Sequence, residues 1–268
     1  MTNHTSYLPK KKAEEMKTAQ TMLTEKLQEE PYASVLCYPK PSEAEVQKRL
    51  EELREHGVEA VEFAGKASAF NVPVLGKGFV GVVVIAHLGG QRVALKIRRV
   101  DADRLGLEDE AQMLSKANAM QVGPKLISVS RNFLLMQLID GAVLPEWLNA
   151  DKEKVDVRCI VNEVLEQCWR LDRAGLDHGE LSKAPKHILV DKHRKPWIVD
   201  FESASLDRKT ANVTSICQFL FTSPGRVAKA VTEALGERKR EGIISALRTY
   251  KKDKTRRNFD RVVQVCLS

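Results

Sequence analysis

Cysteines are few and far apart: Cys37, Cys159, Cys168, Cys217 and Cys266, with no Cys-x-x-Cys among them. An odd count at such spacings excludes a disulfide framework and a zinc ribbon, and predicts buried, reduced thiols in a cytoplasmic protein. Long apolar runs are missing as well. The longest near the middle, Val82 to Ala86, is far shorter than the ~20 residues a membrane helix needs, so no membrane partner is expected. The opening Met-Thr-Asn-His-Thr-Ser-Tyr-Leu-Pro-Lys-Lys-Lys has no apolar stretch behind its charges, which excludes a secretory signal there. Neither internal repeats nor low-complexity tracts occur. With 43% hydrophobic and 29% charged residues in 268, collagen-like, mucin-like and wholly disordered chains are excluded, and one or two globular domains are expected.

What is present first is charge, and it is unevenly placed. The net charge is +7. Residues 226–261 contain twelve lysines and arginines against five acids, so this segment alone carries the excess. Any electrostatic partner, RNA or another anionic surface, would meet the chain there. The alternative is a solvated face: Ile243, Leu247 and Tyr250 form an apolar stripe that leaves Arg248, Lys251 and Lys252 outward. No aromatic platform accompanies the cluster Lys251-Lys-Asp-Lys-Thr-Arg-Arg257.

The hydrophobic pattern divides the chain. A weak stripe of Met16, Met22, Leu23 and Leu27 predicts a loose helix that Pro31 ends. Ser42 and Glu45 form a capping box, Val46, Leu50 and Leu53 share a face, and Gly57 stops that helix. Strands are predicted over 58–63, 72–75, 82–87, 92–97, 126–129 and 133–138, with a helix at 104–120 between them. Beyond Gly141 the pattern turns helical. The helix over 155–174 carries Val157, Ile160, Val161, Val164, Leu165, Cys168 and Leu171 on one face. Short strands follow at 188–190 and 196–201, and helices from about Ala211. A strand-rich half followed by a helix-rich half predicts an α+β, two-lobed architecture.

Chemistry concentrates in the same order. Gly76-Lys-Gly78-Phe-Val-Gly81 is a G-x-G-x-x-G, weak by itself. A dinucleotide fold needs a helix after the glycines, but Val82-Val-Val-Ile85 is β-branched, so the motif belongs to a strand–turn–strand whose N–H groups can cover phosphates. A glycine-rich hairpin with no ligand has the same pattern. Lys96, in the apolar strand Val93-Ala-Leu-Lys-Ile97, needs a partner if buried. Glu110 can supply it, with Glu108 and Asp109 as rivals; an exposed edge-strand lysine is the alternative. Leu176-Asp-His178-Gly-Glu180-Leu181 and Ile198-Val-Asp200-Phe-Glu202 complete the series.

In this order and spacing the motifs resemble those of protein kinases over roughly residues 72–221. The stretches Asp177-His-Gly-Glu-Leu-Ser-Lys-Ala-Pro-Lys-His-Ile-Leu-Val-Asp191 and Ile198-Val-Asp-Phe-Glu-Ser-Ala-Ser205 look like an archaeal-type group of predicted Ser/Thr protein kinases related to the RIO kinases. So does the helix opening at Pro41-Ser42. The resemblance implies a protein-kinase-like fold with a small β-rich N-lobe at 71–140, a reduced helical C-lobe at 141–268, and an N-terminal helical extension with a short strand at 1–70. It implies ATP and Mg2+ as cofactors. Gly76, Lys77, Gly78 and Gly81 would cover the phosphates, Lys96 would pair with them, and Glu110 would orient Lys96. Ala94, Met136, Gln137 and Ile139 would line the adenine pocket. His178 and Glu180 stand in the catalytic loop, with Glu180 at the usual aspartate position. Asp200 would hold the metal.

Three positions depart from the pattern. Glu180 replaces Asp, moving the carboxylate by about 1.5 Å, and a displacement of that order costs about a hundredfold unless the loop adjusts. Two extra residues before Ile188 are a candidate adjustment. His187 stands where a metal-binding Asn is expected, and imidazole is a poor magnesium ligand. Glu202 replaces the glycine of Asp-Phe-Gly and is expected either to add a second metal carboxylate or to pair with Lys183, Lys186 or His187. No Ala-Pro-Glu follows, and only a short stretch separates Ser205 from the helix near Ala211, so the usual peptide platform is short. The function expected is an atypical Ser/Thr protein kinase, itself a candidate substrate. The rivals are a small-molecule kinase of the aminoglycoside or choline type and an ATP-binding switch or ATPase with little transfer.

Overall fold

The computed structural model describes residues 19–150 and 154–268. Met16 and the opening residues read above lie outside them. Where a helix was expected through Met22 and Leu23, the chain forms β1 (Gln20–Leu23) and then a single 3-10 turn over Thr24–Gln28. Three apolar residues are too few to bury a helical face, whereas an edge strand gains backbone pairing at once. Pro31 opens a helix rather than ending one. It caps α1 (Tyr32–Leu36), and proline at a helix entry forfeits no needed N–H. The next helix, α2 (Glu43–Glu55), follows its sequence signals. Ser42 Oγ accepts from Glu45 N at 3.3 Å, Val46, Leu50 and Leu53 are buried, and Gly57 takes a φ of +72° beyond the last turn. Such a cap stabilises by about 1 kcal/mol.

The first lobe is an antiparallel sheet. Its strands are β1, β2 (Val58–Phe63), β5 (Gly76–Lys77), β6 (Gly81–Leu88), β7 (Gln91–Arg98), β8 (Leu126–Val129) and β9 (Phe133–Gln137). Their order is β1-β2-β6-β7-β9-β8, with β5 also pairing with β6. A hairpin of β3 (Ala67–Ala69) and β4 (Val72–Val74) leads into β5. Because β1 and β2 pair into this sheet, residues 20–63 share a hydrophobic core with residues 72–97. The helix expected over 104–120 is α3 (Glu108–Ala119), beginning after Gly106, which disfavours helix. It spans both lobes: Leu107 and Ala111 pack on Leu134 of the sheet, while Leu114 and Ala117 join the core of the second lobe.

The second lobe opens with β10 (Gly141–Val143), a strand where the sequence pattern suggested helix. It pairs with β11 (Ile188–Asp191), which pairs with β12 (Pro196–Ile198). Three residues are enough here because β11 offers a free edge. Around them pack α4 (Leu144–Asn149), α5 (Lys154–Arg173), α6 (Asn212–Cys217), α7 (Arg226–Leu235), α8 (Arg240–Lys252) and α9 (Arg256–Leu267). The central α5 buries the whole predicted face from Val157 to Leu171. The last strand was expected to reach Phe201 but stops at Ile198; Asp200, two residues on, has a φ of +69°, incompatible with an extended run.

The thiols are all free. Cys37, Cys168, Cys217 and Cys266 are buried as expected, whereas Cys159 is exposed on α5. The basic C-terminal segment is divided between internal and outward roles. Arg256 forms two hydrogen bonds to Glu166 and lies over Trp169, Arg238 donates to the carbonyls of Leu235, Gly236 and Cys266, and Lys254 reaches Thr210. Arg248, Lys251, Lys252, Arg257 and Arg261 are exposed. Among the described residues no helix is long and apolar enough to cross a membrane.

Candidate active site

The glycine turn between β5 and β6 is closed by Gly78 N donating to Gly81 O at 2.8 Å. Its tip, Phe79, is 90% exposed. Arg99, just past β7, holds the turn from below: its N–H donates to Val80 O and its Nη1 to Gly78 O. Lys77 is exposed over the ring of Tyr38. Gly81 has a steric reason to be glycine. A Cβ there would lie 2.8 Å from Ile97 O and 3.0 Å from Lys96 Cγ, so only glycine lets this strand lie against the lysine.

The β-sheet register places Lys96 between Val83 and Leu134, with 5% of its surface exposed. Its ammonium lies 2.8 Å from Glu110, 3.1 Å from Asp200 and 2.8 Å from Glu202. Glu110 is thus the partner among the three candidates on α3; Glu108 and Asp109 face outward. Glu202 pairs with Lys96 and not with Lys183, Lys186 or His187, the partners weighed for it above. Burial disfavours the charged form of Lys96, but the carboxylates of Glu110, Asp200 and Glu202 outweigh it and hold its pKa above the ordinary lysine value. Burial raises the Glu110 carboxyl, against the pull of Lys96. Burial also acts to raise Asp200, yet the Lys96 ammonium prevails and keeps it below the usual carboxylate range. Three carboxylates around one ammonium leave an excess of negative charge, a setting that attracts a further cation. A cavity of about 520 Å³ opens beside Glu202, between α3 and residues 203–208.

Across the cleft lies the loop of residues 177–187. Glu180 is partly exposed, and its Oε2 is 3.3 Å from His187 Nε2; the same nitrogen is 3.8 Å from Asp200 Oδ2. His178, grouped above with the catalytic residues, is fully buried and faces inward. Its Nε2 is 3.1 Å from Val199 O, and its ring packs on Phe201 at 5.1 Å between centroids. Burial lowers its pKa to about 4, so it is a neutral support for the loop. The Phe201 ring approaches Gly123 so closely that a Cβ there would meet Phe201 Cε2 at 2.8 Å; Gly123 also takes a φ of +80°. Ala94 is buried and faces Met136 across the β7–β9 pair, and Ile139 is half-buried. Gln137 differs. Its N–H donates to Lys125 O at 2.8 Å and its side-chain oxygen accepts from Lys125 N, so it serves the sheet.

Several residues that shape this loop escaped the sequence reading. Asn212, at the start of α6, accepts from His178 N with Oδ1 and donates from Nδ2 to Leu176 O. Asp172, near the end of α5, accepts from Asn212 N and Nδ2 at 2.9 Å, from Val213 N, and from the hydroxyl of Tyr250 on α8 at 2.9 Å. Asp177 accepts from Arg208 Nε and Ala211 N, and exchanges backbone hydrogen bonds with Ser205. The one sequence signal was an acid, Asp172, directly after the apolar Leu171 of α5.

A model of the RIO domain matches residues 88–214, a span that contains Lys96, Glu110, Glu180 and Asp200. An uncharacterized protein of Methanocaldococcus jannaschii is 32% identical over 101 residues, covering 37% of this chain and 83% of that protein. The antiparallel sheet followed by a helical lobe, with lysine and acids meeting between them, agrees with the family match. The chain belongs to the RIO family, atypical members of the protein-kinase-like, ATP-binding phosphotransferases.

Proposed function

We propose that this protein transfers the γ-phosphoryl group of ATP to a serine or threonine hydroxyl of a protein, its own chain included. The observation that carries the reading is Lys96, buried and ringed by Glu110, Asp200 and Glu202. Such a lysine stays charged, and its neighbours Asp200 and Glu202 can exchange it for phosphate oxygens and a cation. Magnesium, held by Asp200 and Glu202, would neutralise phosphate charge. Gly76, Lys77, Gly78 and Gly81 cover the phosphates; Ala94 and Met136 contact the base, whose polar edge meets the backbone near Leu138 and Ile139. Glu180 orients the acceptor hydroxyl and accepts its proton. An anionic partner such as RNA is assigned to the exposed Arg248, Lys251, Lys252, Arg257 and Arg261, in a cytoplasmic setting.

One observation favours a second reading, a nucleotide-dependent switch: Glu202 closes directly on Lys96 and has to leave it before phosphates can bind. A single-turnover incubation with γ-labelled ATP and magnesium, without added acceptor, separates the two. Label on the wild-type protein and none on Asp200→Asn is the expected result. ATP binding with no label on the protein, and no phosphate released, selects the switch.

A further inference from the structure

We infer that Glu180, His187 and Asp200 form a binding site for a first-row divalent transition ion, distinct in donor set from the oxygen ligands that magnesium prefers. The inference deepens the proposed phosphotransferase reading by naming the cation class of its cleft, and it rests on that reading only for the cation's purpose.

Among the described residues two groups of side chains bring three metal-capable atoms within 4.8 Å of one another. They share Asp200. In the first, Glu110, Asp200 and Glu202, the centre already holds a cation: the Lys96 ammonium, within 3.1 Å of an oxygen from each. In the second, Glu180, His187 and Asp200, no lysine or arginine among the described residues closes on Glu180. Its Oε2 lies 3.3 Å from His187 Nε2. His187 Nε2 therefore faces two carboxylates, Glu180 Oε2 and Asp200 Oδ2. The three donor atoms converge on one point, where a single cation can be shared among them.

The position of His187 is fixed. Its N–H donates to Ala184 O, its carbonyl accepts from Val199 N at 3.0 Å, and its ring lies beside that of His178, 5.6 Å between centroids. Its Nδ1 is buried without a protein partner. One imidazole and two carboxylates suit manganese, iron or zinc; magnesium resists nitrogen and keeps its water shell. The histidine that is unsuited to magnesium thus gains a purpose. Glu180 engages the ion with Oε2, and its other oxygen is left for an acceptor hydroxyl.

The test uses the full-length protein with Mn2+ as the probe, in the absence of nucleotide. Electron spin-echo measurements report directly whether a nitrogen is bound to manganese. Wild type is expected to show histidine nitrogen coupling and to prefer Mn2+ over Mg2+ at least tenfold in competition. His187→Asn is expected to lose the coupling and, as for loss of a ligand, to weaken Mn2+ at least tenfold while changing Mg2+ little. Glu180→Gln keeps the coupling and weakens Mn2+; thermal melts verify that both variants fold. A wild-type spectrum without nitrogen coupling, or coupling that survives His187→Asn, overturns the inference. Failure of phosphoryl transfer with the coupling intact would remove the proposed activity but leave the metal site standing, and labelled protein without coupling does the reverse.

Discussion

His178 shows how burial alone redirects a residue's role. A histidine in a loop that resembles a catalytic one invites a proton-transfer reading, yet this ring is enclosed between Phe201 and His187 and bonded to Val199 O. Its folded-state pKa, about 4, lies below the value near 6.5 expected in the unfolded chain. As pH falls the unfolded chain takes up the proton first. Stability from this group is therefore complete above about pH 6.5 and is lost progressively down to about pH 4. At pH 5 the loss is about 2 kcal/mol relative to pH 7. Urea unfolding at the two pH values should show it, and His178→Gln, which keeps a donor for Val199 O without a titrating ring, should flatten the difference. An unchanged pH slope in that variant would place the acid sensitivity elsewhere.

At the scale of elements, the backbone of the loop at residues 176–180 hangs from the start of α6. His178 N and Leu176 O both bond Asn212, Asn212 is fixed by Asp172 of α5, and Asp172 is reached by Tyr250 of α8. A helix near the C-terminus is thereby connected to the loop that carries Glu180. Tyr250 is fully buried, so its hydroxyl has no water to fall back on. Tyr250→Phe removes one hydrogen bond to a carboxylate and should cost about 1.5–3 kcal/mol. Asp172 retains its other three donors, so the fold should persist. The informative readout is local: amide exchange at residues 176–180 should accelerate more than exchange across the sheet. Uniform acceleration would mean that Tyr250 supports the lobe as a whole and not the loop.

For the whole molecule, what was readable from sequence followed periodicity and local chemistry. The strands from Val82 to Ile97 and the helix α5 carried strong patterns; a carboxylate partner for Lys96 on the following helix was readable because a buried lysine in an apolar strand demands one, and the fold selects Glu110 over Glu108 and Asp109. The parts that were not readable depend on distant contacts. Gln20–Leu23 has no strand signal of its own and becomes a strand because β2 offers an edge. Glu202 could be placed beside Asp200 by its motif, but only the fold brings it onto Lys96. Arg49 is the clearest case. On α2 it occupies the face shared by Val46, Leu50 and Leu53, where a charge reads as a surface residue. The structure buries it completely. Its guanidinium donates to Glu45 Oε1, to the carbonyls of Leu36 and Arg98, and to Asn132 Oδ1. Asn132 in turn accepts from Arg98 and donates to Glu52. One side chain thus binds the N-terminal helices to the end of β7, two residues beyond Lys96, and to the turn between β8 and β9. Arg49→Met fills the volume but leaves those acceptors buried and unmatched, and should cost about 3–5 kcal/mol. Arg49→Lys should recover little, because one ammonium cannot span acceptors arranged for a planar fork. If the N-terminal helices are integral to the first lobe, chemical unfolding of Arg49→Met remains one cooperative step at lower denaturant, and ATP affinity falls with it. Separate loss of the helices, with ATP binding intact, would show instead that α1 and α2 are an accessory layer on a self-sufficient nucleotide lobe.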